Sequence, residues 1–309
     1  MPMMQAIIVT EPGGPEVLQP VTRPIPALRR GEVLINVVSA GVNQADILQR
    51  QGKYPPPPGV SVDIPGLEAA GEIMAVDTAC TRFRVGDRVM ALLPGGGYAS
   101  HVAAPEGLCL PVPENIALRD AGALPEALFT VWANLFVAAC VQPGETVLIH
   151  GGASGIGSMA IQMLRVHGAV PIVTAGNAEK CGWCHTIGAA LAIDYRAQDF
   201  AVAVRDFTQG RGVDVILDMV GGSYLPRNLA VLAEHGRLVM IATQQGVIGE
   251  LDIRALMRRR AVITGTTLRA RPLEEKARLG REIERRIIPW LLLRKGATTE
   301  IASGIYRDQ

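Results

Sequence analysis

The chain has 309 residues, 49% of them apolar and 19% charged, which excludes a disordered or solvating polymer and leaves ample material for two cores. Thirty lysines and arginines face 29 acids and only 4% of residues are aromatic, so no dedicated nucleic-acid surface is expected. Five cysteines, at positions 80, 109, 140, 181 and 184, are odd in number and scattered. That suits reduced thiols in the cytoplasm better than a disulfide framework.

The first residues, Met1 to Gln5, carry no basic n-region and no cleavage site, so no signal peptide is expected. Up to about residue 115 the chain reads as β-rich. Short β-branched runs at Ala6–Val9, Glu32–Val38, Ala70–Val76 and Arg88–Leu92 are bounded by glycine and proline. Between them Tyr54-Pro55-Pro56-Pro57-Pro58-Gly59 is expected to form a stiff loop, because four prolines lack an N–H donor. The apolar run Ala127–Val141 is interrupted by Thr130 and Asn134 and is shorter than the ~20 residues of a membrane span, so a buried helix is predicted.

From Glu145 the rhythm changes. Thr146–His150 is a continuous apolar run, the mark of a strand buried on both faces. The predicted order after it is helix 155–167, strand 170–174, helix 179–187, strand 191–193, helix 199–207, strand 213–217, helix 224–234 and strand 237–242. Such alternation predicts a doubly wound parallel sheet. Residues 254–286 then hold eleven lysines and arginines against four acids. Solvated helix faces explain this segment better than RNA or a membrane.

The first strand of the alternating region runs into Gly151-Gly152-Ala153-Ser154-Gly155-Ile156-Gly157, where a dinucleotide fingerprint belongs. Against G-x-G-x-x-G it fits as Gly152, Ser154 and Gly157, one glycine short, and its place between a buried strand and a helix strengthens it. The G-x-S-x-G nucleophile elbow is not met, since Ile156 stands where the last glycine should be. An NAD enzyme carries an acid about 20 residues on, at the tip of the second strand. Here that tip reads Val173-Thr174-Ala175-Gly176-Asn177, with Lys180 four residues past Gly176. An absent carboxylate and a nearby cation favour a 2′-phosphate, hence NADPH over NADH.

A β-rich domain before such a domain resembles the medium-chain dehydrogenase/reductase superfamily. Its zinc-binding alcohol dehydrogenases read G-x-C-x-x-D and G-H-E-x-x-G, where this chain has Gly41-Val42-Asn43-Gln44-Ala45-Asp46 and Gly66-Leu67-Glu68-Ala69-Ala70-Gly71. Asn43 and Leu67 replace the ligand cysteine and histidine, and Cys181-Gly182-Trp183-Cys184 has no second pair, so no metal is expected. The chain is therefore similar to the zinc-free NADPH:quinone oxidoreductases, or zeta-crystallin-like group. Leu93-Pro94-Gly95-Gly96-Gly97 and Val173–Gly176 are most similar to the tumour-suppressor-inducible subgroup.

The resemblance implies a GroES-like catalytic domain over residues 1–124, completed by 267–309, and a Rossmann NADPH-binding domain over 125–266. It places Gly176, Asn177, Lys180 and Tyr195 round the 2′-phosphate. Gly152, Ser154, Gly155, Ile156 and Gly157 would meet the pyrophosphate, and Asn43 and Thr130 the nicotinamide end, with Val220 and Thr243 nearby. Asn43, Asp46 and Tyr54 would line the quinone pocket and carry the chemistry. From Leu291 to Gln309 the chain matches no family segment. The resemblance therefore implies that the last barrel strand and a cofactor-side lysine are missing and that activity is weakened.

The function expected is NADPH-dependent reduction of a quinone or another electron-poor small acceptor, with a homodimer compatible and no membrane partner. Reduction of 2-enoyl thioesters or alkenals is the neighbouring alternative. A non-catalytic NADPH-binding protein, crystallin-like or RNA-binding, is the alternative from another class.

Overall fold

The computed structural model describes residues 2–293, and Leu293 by its backbone alone. The C-terminal expectation, where it concerns residues 294–309, lies outside the described residues. The described chain divides into two compact units, one holding the residues up to Phe129 together with those from Leu268 on, the other Thr130–Thr267.

The first unit opens with an antiparallel ribbon, β1 (Met3–Val9) and β2 (Leu18–Pro24). Next come β3 (Glu32–Ser39), helix α1 (Gln44–Arg50), β4 (Glu68–Val76), β5 (Arg88–Leu92), β6 (His101–Pro105) and β7 (Cys109–Pro111). The last five strands make an antiparallel sheet in the order β6-β3-β4-β5-β7. Alternate residues Val33 and Ile35 of β3 are fully buried and pack with Ala69, Ile73, Val89 and Ala104, so one face of the pleat forms the core. Helices α2 (Leu118–Ala121) and α3 (Pro125–Val131) follow. The buried helix foreseen at Ala127–Val141 is α3 continued by a π-helical turn, Trp132–Ala138.

In the second unit every residue of β8 (Thr146–Ile149) is buried, as a central parallel strand requires. The chain alternates through α4 (Gly155–His167), β9 (Val170–Ala175), α5 (Ala178–Thr186), β10 (Leu191–Asp194), α6 (Phe200–Phe207), β11 (Val213–Asp218), α7 (Leu225–Val231), β12 (Leu232–Met240), α8 (Ile253–Arg259) and β13 (Val262–Gly265). All six strands pair in parallel, in the order β10-β9-β8-β11-β12-β13. The Rossmann-like doubly wound sheet is thus present. Its direction of growth reverses between β8 and β11, and ligands of such sheets bind outside the carboxyl ends of strands at that switch.

One boundary differs from the expected helix over 224–234. Leu232 already pairs with Val213, and the register then jumps so that Arg237 faces Val215. His235, at φ 61°, lies in the intervening bulge, which a helix cannot accommodate. The chain then re-enters the first unit as α9 (Leu273–Arg286) and α10 (Ile288–Leu293). Among the described residues no helix is long and apolar enough to cross a membrane.

The basic segment also departs from a uniformly solvated face. Arg259 donates to the carbonyls of Leu232 and Ala230, and Arg260 pairs with Glu234. Arg269 and Lys276 are buried.

Candidate active site and dinucleotide cradle

In the second unit the glycine-rich turn follows β8 directly. Ser154 begins α4 as its N-cap: its Oγ accepts from the Gly157 N–H at 3.0 Å and donates to the Gly151 carbonyl at 2.7 Å. Two of its glycines have no room for a side chain. A Cβ on Gly152 would lie 2.5 Å from Val173, and one on Gly157 only 2.2 Å from the Gly151 carbonyl oxygen. Such a bare turn at the start of a 13-residue helix presents backbone N–H groups and the positive end of a helix dipole to an anion. Gly155 and Ile156 are half-buried in its first turn.

A buried network fixes this turn from below. Asn228 donates to Asp218 Oδ2 at 3.1 Å, so its own oxygen, 2.7 Å from His150 Nε2, accepts a proton from that ring. His150 Nδ1 is then left to accept from Thr174 Oγ1, 3.1 Å away, and Thr174 in turn accepts from the Gly151 N–H. Burial lowers the His150 pKa and favours the neutral ring that this pattern needs. Asp218 also accepts from the Val220 N–H at 2.7 Å, which ties the ends of β8, β9 and β11 together.

At the tip of β9, a Cβ on Gly176 would come within 3.2 Å of the Tyr195 hydroxyl, so that ring stands beside the strand end. Asn177 caps α5 by accepting from the Lys180 N–H, and Asn177 and Lys180 are both exposed. Gly176, Asn177, Lys180 and Tyr195 therefore cluster round the ends of β9 and β10. Val220 and Thr243 lie on neighbouring loops after β11 and β12: the Val220 carbonyl accepts from Gln245, and Thr243 lies within 3.1 Å of a Cβ placed on Gly221. Thr130 is buried at the start of the unit, its carbonyl accepting from the Asn134 amide. Cys181 and Cys184 are buried in α5, and burial pushes the Cys184 thiol up to about 12.

The first unit holds the other group. Asn43 is the N-cap of α1, and its Nδ2 donates to Glu68 Oε1 at 2.7 Å. Glu68 Oε2 accepts from the Glu126 N–H at 2.8 Å. Gly41 has to be glycine, because a Cβ there would meet Glu68 Oε1 at 1.9 Å. Burial, reinforced by the Glu126 and Asp46 charges and opposed by those two hydrogen bonds, pushes the Glu68 carboxyl up to about 8. Asp46 is buried and its carboxylate accepts from the Asn43 and Gly66 N–H groups, both at 2.9 Å. Its oxygens brace the start of α1 against the loop that leads into β4. Tyr54 is half-buried with the Arg269 guanidinium over its ring at 5.2 Å, and burial raises its pKa, which keeps the hydroxyl protonated. Leu67 is buried and offers no lone pair.

Sequence reasoning missed Arg269 and Gln49 as neighbours of this group, since nothing local links positions 220 residues apart. Glu68 lay within a quoted motif, but its burial had no signal of its own.

Residues 29–114 match the alcohol dehydrogenase GroES-like domain family, and residues 155–284 the zinc-binding dehydrogenase family. The quinone oxidoreductase of Homo sapiens is 32% identical over 277 residues, 88% of this chain and 83% of that protein. The chain belongs to the quinone oxidoreductases of the medium-chain dehydrogenase/reductase superfamily. It is an oxidoreductase, with a GroES-like domain and a Rossmann-like sheet. The Escherichia coli quinone oxidoreductase complexed with NADPH superposes with a TM-score of 0.79 at 26% identity, over 97% of this chain and 94% of that one. The CurK enoyl reductase gives 0.80 at 28% identity, over 97% and 94%. These relatives and the bare turn support a nicotinamide cofactor for this chain.

Proposed function

We propose that the chain reduces quinones with NADPH and without zinc. The observation that carries the nucleotide choice is the cluster at the end of β9, where Gly176, Lys180 and Tyr195 replace the acid that a 2′-hydroxyl would require. Gly152, Ser154, Gly155, Ile156 and Gly157 would hold the pyrophosphate, and Thr130, Val220 and Thr243 would flank the nicotinamide end. When bound, NADPH supplies a hydride; the residues described below would orient the acceptor and stabilise charge.

As the acceptor is reduced, negative charge grows on its carbonyl oxygen. Asn43 Nδ2 carries two hydrogens, and Glu68 takes one of them. The second would serve the acceptor oxygen, and the protonated Tyr54 hydroxyl would donate a further bond. Glu68, with a pKa of about 8, is mostly neutral at pH 7, so it does not oppose charge developing beside Asn43. Asp46 holds Asn43 in place through the backbone of α1. A quinone needs no Lewis acid because its conjugated carbonyls take up the charge, which suits Asn43 and Leu67 at the positions of zinc ligands. The five free cysteines suit a reducing cytoplasm.

Similarity to the CurK enoyl reductase favours a second reading, reduction of a conjugated C=C bond. A panel of quinones, enals and 2-enoyl thioesters, assayed by NADPH oxidation, separates the two. Turnover of quinones is expected; turnover confined to enoyl substrates would replace the proposal with the second reading. Elemental analysis is expected to find no stoichiometric zinc, and chelators should leave the rate unchanged. Lys180→Ala is expected to weaken NADPH by about ten- to a hundredfold while leaving NADH nearly untouched, since only the phosphate uses the charge. Equal loss for both nucleotides would remove Lys180 from the site.

A further inference from the structure

Arg269 and Gln49 form a buried polar pair with donors to spare. The Arg269 Nε donates to the Pro94 carbonyl at 2.9 Å and its Nη2 to Gln49 Oε1 at 2.8 Å. That second bond fixes the Gln49 amide, because a flipped amide would set donor against donor. Two nitrogens are then left without acceptors among the described residues: Arg269 Nη1 and Gln49 Nε2, in residues 8% and 7% exposed. No described carboxylate lies within ion-pair distance of Arg269. Asp46, the nearest acid in electrostatic terms, already accepts from two backbone amides, and the Glu126 charge also acts on Arg269. A second buried cation, Lys276, donates to the Arg269 carbonyl at 3.1 Å. Buried donors without acceptors, and a buried guanidinium with no carboxylate in ion-pair contact, are few in folded proteins and call for a physical explanation.

We propose that Arg269 and Gln49 form a subsite for the carboxylate of an acidic, electron-poor acceptor that enters against the Tyr54 ring. This rests on the reductase reading, and it narrows the substrate class to acceptors bearing an acid group. A carboxylate has two oxygens, one for each orphan nitrogen, and a charge to match the guanidinium. A neutral carbonyl would meet the hydrogen bonds alone. Tyr54 covers the guanidinium in this structure, so entry requires that ring to turn aside.

The test is equilibrium binding to the full chain of two redox-inert planar probes, 2-naphthoate and its neutral isostere 2-naphthamide, by titration calorimetry. The wild type is expected to bind 2-naphthoate at least tenfold more tightly. Gln49→Glu keeps the acceptor for Arg269 Nη2, supplies a countercharge and removes the orphan donor. It is expected to abolish the preference without lowering the melting temperature. Arg269→Met should do the same, but it also breaks the bond to Pro94 and can unfold the unit, so Gln49→Glu carries the decision. Equal affinity for the two probes in the wild type overturns the proposal, as does a preference that survives Gln49→Glu. Displacement of 2-naphthoate by equimolar inorganic phosphate also overturns it, because the site would then be a bare anion hole. Should the wild type reduce no quinone with NADPH, the functional reading fails, while the naphthoate comparison still decides the subsite.

Discussion

Glu68 is a carboxyl group with no room to be charged. Its two oxygens accept from Asn43 and Glu126, yet burial and two acidic neighbours outweigh both bonds and push it up to about 8. In the unfolded chain it would titrate near 4.5. Between those values the folded state therefore holds a proton that the unfolded state has lost. Stability is fully present below the lower value and falls as pH rises, by up to about 1.4 kcal/mol for each pH unit in that window. Urea midpoints measured from pH 5 to pH 9 should decline and level off past pH 8. Glu68→Gln, which cannot ionise, is expected to flatten the profile. An unchanged slope in that variant would assign the pH dependence to other groups. Gly41 sets the same point from the opposite side, since any larger residue there would displace the Glu68 carboxyl.

Among elements, the strand, turn and helix of residues 146–167 were the most legible. β8 is a run of four buried residues, and α4 starts and stops where the sequence indicates because Ser154 caps it and Gly168, at φ 88°, ends it. Strands β9 to β12 followed from similar apolar runs, but the edge strand β13, which has no buried residue, and helix α8 before it were not foreseen. The first unit was harder to read. β2 carries Pro20 and Pro24 on a two-stranded ribbon, β7 has three residues, and α1 has seven, so none builds a periodic signal. Arg269 was hidden for a different reason: composition shows that a segment is basic, but only the tertiary fold buries one of its arginines against Gln49. The turn itself gives a graded prediction. Ser154→Ala removes the cap bond to Gly157 and is expected to cost about 1 kcal/mol of stability with modest loss of NADPH affinity. Gly157→Ala sets a methyl 2.2 Å from the Gly151 carbonyl and should abolish nucleotide binding. Fluorescence titration with NADPH ranks the two, and the reverse order would mean that the cap, and not the bare backbone, makes the cradle.

At the scale of the whole molecule, residues assigned to the nucleotide are confined to Thr130–Thr267, apart from Asn43, while Tyr54, Glu68, Gln49 and Arg269 belong to the unit built on the antiparallel sheet. On the proposed assignment, nucleotide binding is linked most directly to the folding of the parallel-sheet unit. A ligand that binds the folded chain alone stabilises it by about 2.7 kcal/mol at a hundredfold excess over its dissociation constant. For a unit of this size that raises the melting temperature by roughly 5–10 °C. Trp132 and Trp183 report on this unit, and Trp290 belongs to the other. Thermal unfolding followed by fluorescence of single-tryptophan variants, with NADPH and with NADH at one concentration, tests the assignment. The Trp132 or Trp183 signal should shift upward, and further with NADPH than with NADH. Lys180→Ala should bring the two nucleotides level. An equal shift with both nucleotides in the wild type would show that the β9 end does not read the 2′-phosphate, and a shift seen by Trp290 alone would move the nucleotide to the antiparallel-sheet unit.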